Sequence, residues 1–146
     1  MRFIAVLYAS PDYYAGLSSN DMVQMGEDYS SFYNGFSGHI SLSEGVHPAN
    51  KSKILRTEDG KLIVTDGSSQ DGTQEFGGFY LIECRDLDEA VAIAAENPVL
   101  KYGTIEIWEC SGPLLKPVDG RMDDEDKMDE YMEKVGVPRQ GKTEYR

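Results

Sequence analysis

The sequence predicts an α+β fold: an antiparallel sheet carrying two helices on one face, followed by a separate acidic helix. Three observations predict it. The stretch from Leu62 to Trp108 reads LIVTDG, a polar loop, GGFYLIECRDLDEAVAIAAENP and GTIEIWE, which is strand, loop, strand, capped helix, strand. Phe3 to Tyr8 is a compact apolar run, as in a strand buried on both faces. Met22, Met25, Tyr29, Phe32, Tyr33 and Phe36 recur at helical spacing and mark one buried face.

Each element has its own signal. Ser10 to Asn20, polar and holding Pro11 and Gly16, reads as a loop after the first strand. Ser18, followed three residues later by Asp21, opens the first helix. Gly26 and Gly35 weaken that helix, and Gly38 ends it. His39 to Val46 reads as a strand, with serines on one face and Ile40 and Leu42 near the other. Ile54 to Thr57 and Lys61 to Thr65 flank Asp59-Gly60, a strong two-residue hairpin signal. Phe76 to Cys84 is the best strand in the chain. Asp86 caps the second helix, with Glu89 at the capping-box position and Leu87, Ala90, Val91 and Ala94 on one face. Asn97-Pro98 stops it, and Thr104 to Glu109 alternates with Ile105 and Ile107 inward.

After Cys110 the composition changes. Gly112, Pro113 and Pro117 make a linker, and Asp123 to Val135 forms an acidic helix ended by Gly136 and Pro138. Its apolar stripe is Met128, Tyr131, Met132 and Val135. Such a short helix is marginal alone and should dock somewhere. The expected organisation is a domain over residues 1–110 and a linker with a helical extension over 111–146.

Bulk properties bound the function. A length of 146 residues fits one domain with an appended segment, and 40% apolar composition supports a modest core. The net charge of −12, from 26 acidic and 14 basic residues, repels phosphates. That argues against a nucleic-acid groove or an anionic-membrane patch. No segment approaches the roughly 18 apolar residues that span a bilayer. The apolar run at the start is too short for a signal peptide, so a soluble, cytoplasmic protein is expected. Cys84 and Cys110 show no zinc-like spacing and read as free thiols in a reducing compartment. Neither a metal nor a cofactor is expected.

Val64-Thr65-Asp66-Gly67, Gly77-Gly78-Phe79-Tyr80-Leu81-Ile82-Glu83, Asp86-Leu87-Asp88-Glu89-Ala90 and Ile105-Glu106-Ile107 form a combined pattern. With the opening RFIAVLY and the hairpin LRTEDGKLIVTDG, it resembles the YCII-related, or DGPF, family of small bacterial proteins over about residues 1 to 110. The resemblance implies a ferredoxin-like unit that pairs through its sheet into a homodimeric α/β barrel. It also implies divergent roles: some relatives are called transcription-initiation proteins, and a few YCII-type members are enzymes. The chain departs from the family pattern after Asp66-Gly67, where Ser68 and Ser69 replace a Pro-Phe pair and Thr73 replaces a usual Lys. Enzymatic members pair a His on the first helix with an Asp just beyond the first strand. Here Glu27 or Asp28 stands at the first position, and Ser10, with Asp12 two residues on, near the second. The dyad does not carry over.

The candidate site residues come from both routes. Asp66 ends a strand before the loop Ser68 to Glu75, which is long for a hairpin, and long loops are often functional. Its carboxylate reads either as a ligand acceptor or base, or as an Asx turn with Gly67 at positive φ. His39 and His47 are the side chains that titrate near neutrality without perturbation. His47, before Pro48, is either an exposed loop residue or a base facing Asp66 or Glu44. Tyr8 and Tyr80 lie on adjacent strands and can line a pocket. The expected ligand site is therefore Tyr8, Glu44, His47, Asp66, Gly67, Ser68, Ser69 and Tyr80.

Two functions fit. One is a homodimeric small-molecule-binding or regulatory module. The other is a YCII-like lyase or hydrolase acting on a small organic acid or ring compound through His47 with Asp66 or Glu44. A transcription-related interaction protein is a third, from the resemblance alone. A sheet with both helices on one side leaves Phe79, Leu81, Ile105 and Ile107, or their alternates, in water, which predicts the homodimer. The acidic helix would then pack across the partner subunit.

Overall fold

The computed structural model describes residues 1–46, 52–67, 74–113 and 125–136. At its centre is β1 (Arg2–Ala9), which pairs antiparallel with β5 (Glu75–Glu83) on one side and β6 (Gly103–Glu109) on the other. β2 (Ile40–Gly45) extends the sheet beyond β5, giving the order β2-β5-β1-β6. Helix α2 (Ser19–Gly35) links β1 to β2, and α3 (Leu87–Ala94) links β5 to β6. Setting aside the hairpin inserted after β2, this is the β-α-β-β-α-β order of a ferredoxin-like fold.

The alternation along β1 sorts the two faces. Phe3, Ala5, Leu7 and Ala9 are buried, and they face Tyr80 and Ile82 of β5 and the half-buried Ile105 and Ile107 of β6. The helices cover this face with Phe32, Ala90 and Ile93, and a 3-10 turn (Pro98–Lys101) adds Val99. Ile4, Val6 and Tyr8 point the other way, alongside Phe79, Leu81 and Trp108. The β6 register pairs Ala5 with Ile107 and Leu7 with Ile105, so the two isoleucines join the helix side. Phe79 and Leu81 do lie on the open face; Trp108, 59% exposed, takes the place there expected for the isoleucines.

Local signals explain the helices. Ser18 and Asp21 form the full capping box at the start of α2: Asp21 N–H donates to Ser18 Oγ (3.1 Å), and the Asp21 carboxylate accepts from Ser18 N–H (2.9 Å). The buried stripe of α2 begins at Met25, since Met22 is exposed. The segment expected as a loop contains a short helix, α1 (Pro11–Ala15), because Pro11 at its first position presets the helical φ. Asp86 caps α3 through Glu89 N–H (2.9 Å), while the Glu89 carboxylate reaches Arg85 N–H (2.6 Å). The buried stripe of α3 is Ala90, Ile93 and Ala94; Leu87 and Val91, expected inside, are exposed. Two alanines flanking Ile93 let this helix sit close to the sheet, and Leu87 and Val91 turn outward.

β3 (Lys53–Glu58) and β4 (Lys61–Asp66) form a separate two-stranded hairpin. Asp59 (φ 49°) and Gly60 (φ 77°) are both left-handed, as a two-residue type I′ turn requires. The acidic helix α4 spans Glu125–Val135 and stops at Gly136 (φ 78°). By internal contacts, Met1–Ile54 with Asp66–Ser111 form one compact unit, and Leu55–Thr65 with Gly112–Arg146 form another.

Cys84 and Cys110 are both free thiols. Their backbone N–H groups donate to Met1 and Arg2, so they flank the start of β1 from opposite sides. Two strand spacings, about 9–10 Å, exceed the roughly 7 Å that a disulfide can bridge. No helix among the described residues is long and apolar enough to cross a membrane.

Candidate functional site

The sheet opens at the end where β1 leaves it. Leu7 pairs with Gly78 but Tyr8 pairs with Phe76, so Gly77 is an extra residue and the register shifts there. Gly78 (φ 157°) lets β2 approach closely: a Cβ would lie 2.5 Å from the Glu44 carbonyl oxygen. With no side chains at Gly45, Gly77 and Gly78, a cleft of about 300 Å³ remains. Tyr29, Tyr33 and Met25 from α2 wall one side of it, and Tyr14 from α1 another. Ser43 and Glu44 of β2, with Tyr8 and Phe79, complete it.

The polar groups of this cleft are mainly hydroxyls. Ser43 Oγ donates to Tyr33 Oη (2.8 Å), which leaves the Tyr33 proton free for an acceptor. Tyr29 Oη and Tyr102 Oη share a hydrogen bond of 2.5 Å. Tyr102 is itself held by the stacked ring of Tyr13 (4.2 Å, 8°) and the edge of Tyr14 (5.6 Å). Burial pushes the Tyr29 pKa up to about 12, although the bond from Tyr102 opposes the rise. Burial also raises Tyr102, reinforced by its hydrogen bonds with Tyr29 and Tyr14. Tyr8 is raised by burial and then by the charge and hydrogen bond of Glu106. At neutral pH these rings therefore keep their protons. They can orient a ligand but cannot act as bases.

Of the residues expected at the site, Tyr8 and Glu44 border this cleft, but the strand register turns their side chains to the open face with Phe76 and Phe79, away from Tyr29 and Tyr33. Tyr80 is fully buried behind it, edge-on to Phe32 (5.7 Å) and Tyr33 (6.2 Å). Burial raises its pKa while the neighbouring Asn97 side chain opposes the rise, but neither Tyr80 Oη nor the Asn97 NH₂ completes a hydrogen bond of normal geometry. Asp66 pairs with Lys53, its side chain 83% exposed, and is not part of the cleft wall. Gly67 (φ 94°) turns the chain, its N–H donating to the Ser52 carbonyl (2.9 Å). His47, Ser68 and Ser69 lie outside the described residues.

Neither position where the resemblance to enzymatic members implies a catalytic pair contributes to the cleft. Glu27 is exposed, and Asp28 accepts from Gln24 (3.0 Å) and Lys101 (3.3 Å) elsewhere on α2. Ser10 precedes α1 without a side-chain cap bond, and Asp12 is exposed in its first turn. His39 sits at the far end of β2 from Glu44, with Nδ1 3.0 Å from the Glu83 carbonyl. Ser43, Tyr14, Tyr29 and Tyr33 also line the cleft, with Tyr102 bonded behind Tyr29, and sequence reasoning left them out of the expected site. Their signal was the coincidence of a Tyr-rich chain with paired glycines. Among the described residues, no group of three or more His, Cys, Asp or Glu is placed to hold a metal ion.

Fold and cleft together define a small α+β protein with a ring-walled site at one end of its sheet. The model of the YCII-related domain matches residues 1–111, and the chain belongs to that family. It is similar to an uncharacterized protein of Rhizobium meliloti (strain 1021), with 35% identity over 72 residues. That match covers 48% of this chain, and the chain spans about half the length of the relative, 56%. A solved structure with a similar course is 5-chloro-2-hydroxyhydroquinone dehydrochlorinase (TftG) from Burkholderia phenoliruptrix AC1100, in complex with 2,5-dihydroxybenzoquinone. The identity there is 12% and the TM-score 0.47, over 77% of this chain and 96% of the other.

Proposed function

We propose that this YCII-related protein is a homodimeric small-molecule-binding module whose ligand sits in the tyrosine-walled cleft. The observation that carries the reading is the cleft itself. At about 300 Å³ it reaches the size of small-molecule sites. It exists because glycines remove side chains opposite a row of rings, and burial keeps the Tyr29 hydroxyl protonated. A binding role is favoured over catalysis by the same groups: Tyr29 holds its proton, and Asp66 is engaged by Lys53. The enzymatic reading keeps His47 with Asp66 or Glu44; of these Glu44 borders the cleft, and His47 lies outside the described residues.

The open face of the sheet supports the homodimer. Leu42, Phe76 and Trp108 are exposed there beside Ile4, Val6, Phe79 and Leu81. A contiguous apolar surface of this kind is unusual on a monomer. Sedimentation at micromolar concentration should show a species of twice 16.3 kDa. A lone 16.3 kDa species would remove the dimer from the reading.

A thermal-shift screen of small aromatic and aliphatic metabolites tests the binding site. Compounds that raise the melting temperature should lose much of that effect in Tyr33→Phe and Ser43→Ala and keep it in Asp66→Asn. Loss in Asp66→Asn alone would move the site out of the cleft. Turnover of a bound compound that vanishes in Glu44→Gln would turn the module into an enzyme.

A further inference from the structure

Behind the cleft lie two polar groups that the fold buries without a full set of partners. Tyr80 is 0% and Asn97 2% exposed, and neither the Tyr80 hydroxyl nor the Asn97 NH₂ completes a hydrogen bond. A group buried in this way gives up its hydration and regains nothing from the protein. Both orphans adjoin the cleft wall. Tyr33 meets Tyr80 edge to face (6.2 Å), and Ser43 stands opposite Tyr80 across the β2–β5 pair. Asn97 Oδ1 accepts from Val99 N–H (2.9 Å). Tyr33, Ser43 and Val99 all line the cleft.

Counting protons gives these groups a direction. The bond to Val99 occupies Asn97 Oδ1 and leaves the NH₂ as the end that faces Tyr80. Were Asn97 to donate to Tyr80 Oη, the Tyr80 proton and the second amide proton would still lack an acceptor. Tyr33 adds another proton, since its oxygen already accepts from Ser43. A group that only donates, such as an ammonium, would meet protons here. An oxygen with lone pairs and no proton of its own satisfies them.

Resting on the ligand-binding reading above and narrowing it, we infer that the cleft grips its ligand by an acceptor oxygen, a carbonyl or a carboxylate. Tyr80, Asn97 and Tyr33 donate to that oxygen. Tyr33 and Val99 stand between the two inner groups and the cleft, so the oxygen enters where these side chains give way. The ring or chain that carries it stays beside Tyr14 and Tyr29. The fold keeps Tyr80 and Asn97 short of partners, and the ligand completes them: stability is given up for recognition.

The first test needs no ligand. Tyr80→Phe removes an orphan hydroxyl and should raise the melting temperature of the full chain by a few degrees. Tyr33→Phe loses the bond from Ser43 and should lower it. An unchanged or lower melting temperature in Tyr80→Phe means that this hydroxyl already has its partner inside the protein, and overturns the inference. The second test uses three probes in titration calorimetry: acetophenone, benzoate and α-methylstyrene, which has a CH₂ where acetophenone has its oxygen. Acetophenone or benzoate should bind at least about tenfold tighter than α-methylstyrene, and whichever leads separates carbonyl from carboxylate. That preference should shrink several-fold in Tyr80→Phe. Equal binding of α-methylstyrene, or a preference that Tyr80→Phe leaves intact, overturns the inference while the ligand-binding reading stands. If all three probes fail at millimolar concentration, hits from the thermal-shift screen decide. Hits with an acceptor oxygen that weaken in Tyr80→Phe support the inference; hits without one, or indifferent to Tyr80→Phe, overturn it alone. Failure of the probes and of the screen overturns both.

Discussion

The two ends of the central sheet solve opposite problems. Where β1 begins, the backbone is tied on both sides, by Cys84 N–H to Met1 and Cys110 N–H to Arg2, and the N-terminal ammonium donates to the Cys84 carbonyl (2.8 Å). Phe3, Ile82, Ala90 and Ile93 fill the space beneath the helices and leave almost nothing exposed. Where β1 ends, the same sheet carries Gly45, Gly77 and Gly78, the register shifts, and tyrosines surround a cleft. One end is closed by aliphatic packing; the other is held open by missing side chains. Stability should therefore reside at the first end and ligand recognition at the second.

Glycine itself serves both purposes, which gives the sharpest test. Gly103 lies at the open end, yet a Cβ there would overlap the Tyr8 carbonyl oxygen. It exists for close strand approach, not for space. Gly103→Ala should break the β1–β6 pairing, costing about 3 kcal/mol or more and lowering the melting temperature by roughly 10 °C or more. Circular dichroism melts report it directly. An unchanged melt would mean that the β1–β6 register differs from Ala9 opposite Gly103.

The next comparison sets one side chain from each end side by side. Ile82 is fully buried at the closed end, so Ile82→Ala should cost about 2–5 kcal/mol. Tyr33→Phe removes the bond from Ser43 at the open end and should cost about 1 kcal/mol, with its larger effect on ligand affinity. Urea denaturation measures both. If Tyr33→Phe proves as costly as Ile82→Ala, the open end is ordinary core and the division of labour fails.

Alkaline titration separates the ends by another route, because the raised tyrosines gather around the cleft. A tyrosine unfolds to a pKa near 10, while Tyr29 in the fold stands at about 12. Between those values the native state holds a proton that the unfolded state has lost. Stability should therefore be intact below pH 10, fall as the pH rises to about 12, and then level off for this group. Tyr80 and Tyr102 shift in the same direction and extend the fall. In Tyr29→Phe the urea midpoint should decline less steeply over this range.

Much of this was legible in the chain. The strands, both capped helices and the Asp59-Gly60 turn followed from short-range rules, since a capping box or a two-residue turn is decided within four residues. The rotation of α3 was not legible: Leu87 and Val91 look like core, and only the packed sheet shows that Ala90 and Ala94 fit closer. The site was half legible. Tyr8 and Glu44 could be placed by strand logic, and a Tyr-rich α2 was plain. What sets Ser43 beside Tyr33 is the register shift between Ile40 and Leu42, which places Ser43 opposite Tyr80 on the helix-covered face, a long-range property of strand pairing. The Tyr29–Tyr102 bond joins residues 73 positions apart, which no local pattern encodes.

The smallest expected effect bears on whether the open end must also be mobile. Gly26 lies in the middle of α2, exposed, with nothing within 4 Å of a Cβ built there. Glycine in a helix interior gives up about 0.5–1 kcal/mol relative to alanine because its unfolded chain is freer. Gly26→Ala should therefore stabilise by about that much, a rise of a few degrees in melting temperature. Because Gly26 follows Met25 and precedes Tyr29 on the helix that walls the cleft, ligand affinity in the same variant reads out the role of helix flexibility. Unchanged affinity makes α2 a rigid platform on which the rings are pre-placed. Weaker affinity despite greater stability would mean that α2 must yield for the ligand to enter, and the glycine would then belong to the site rather than to the fold.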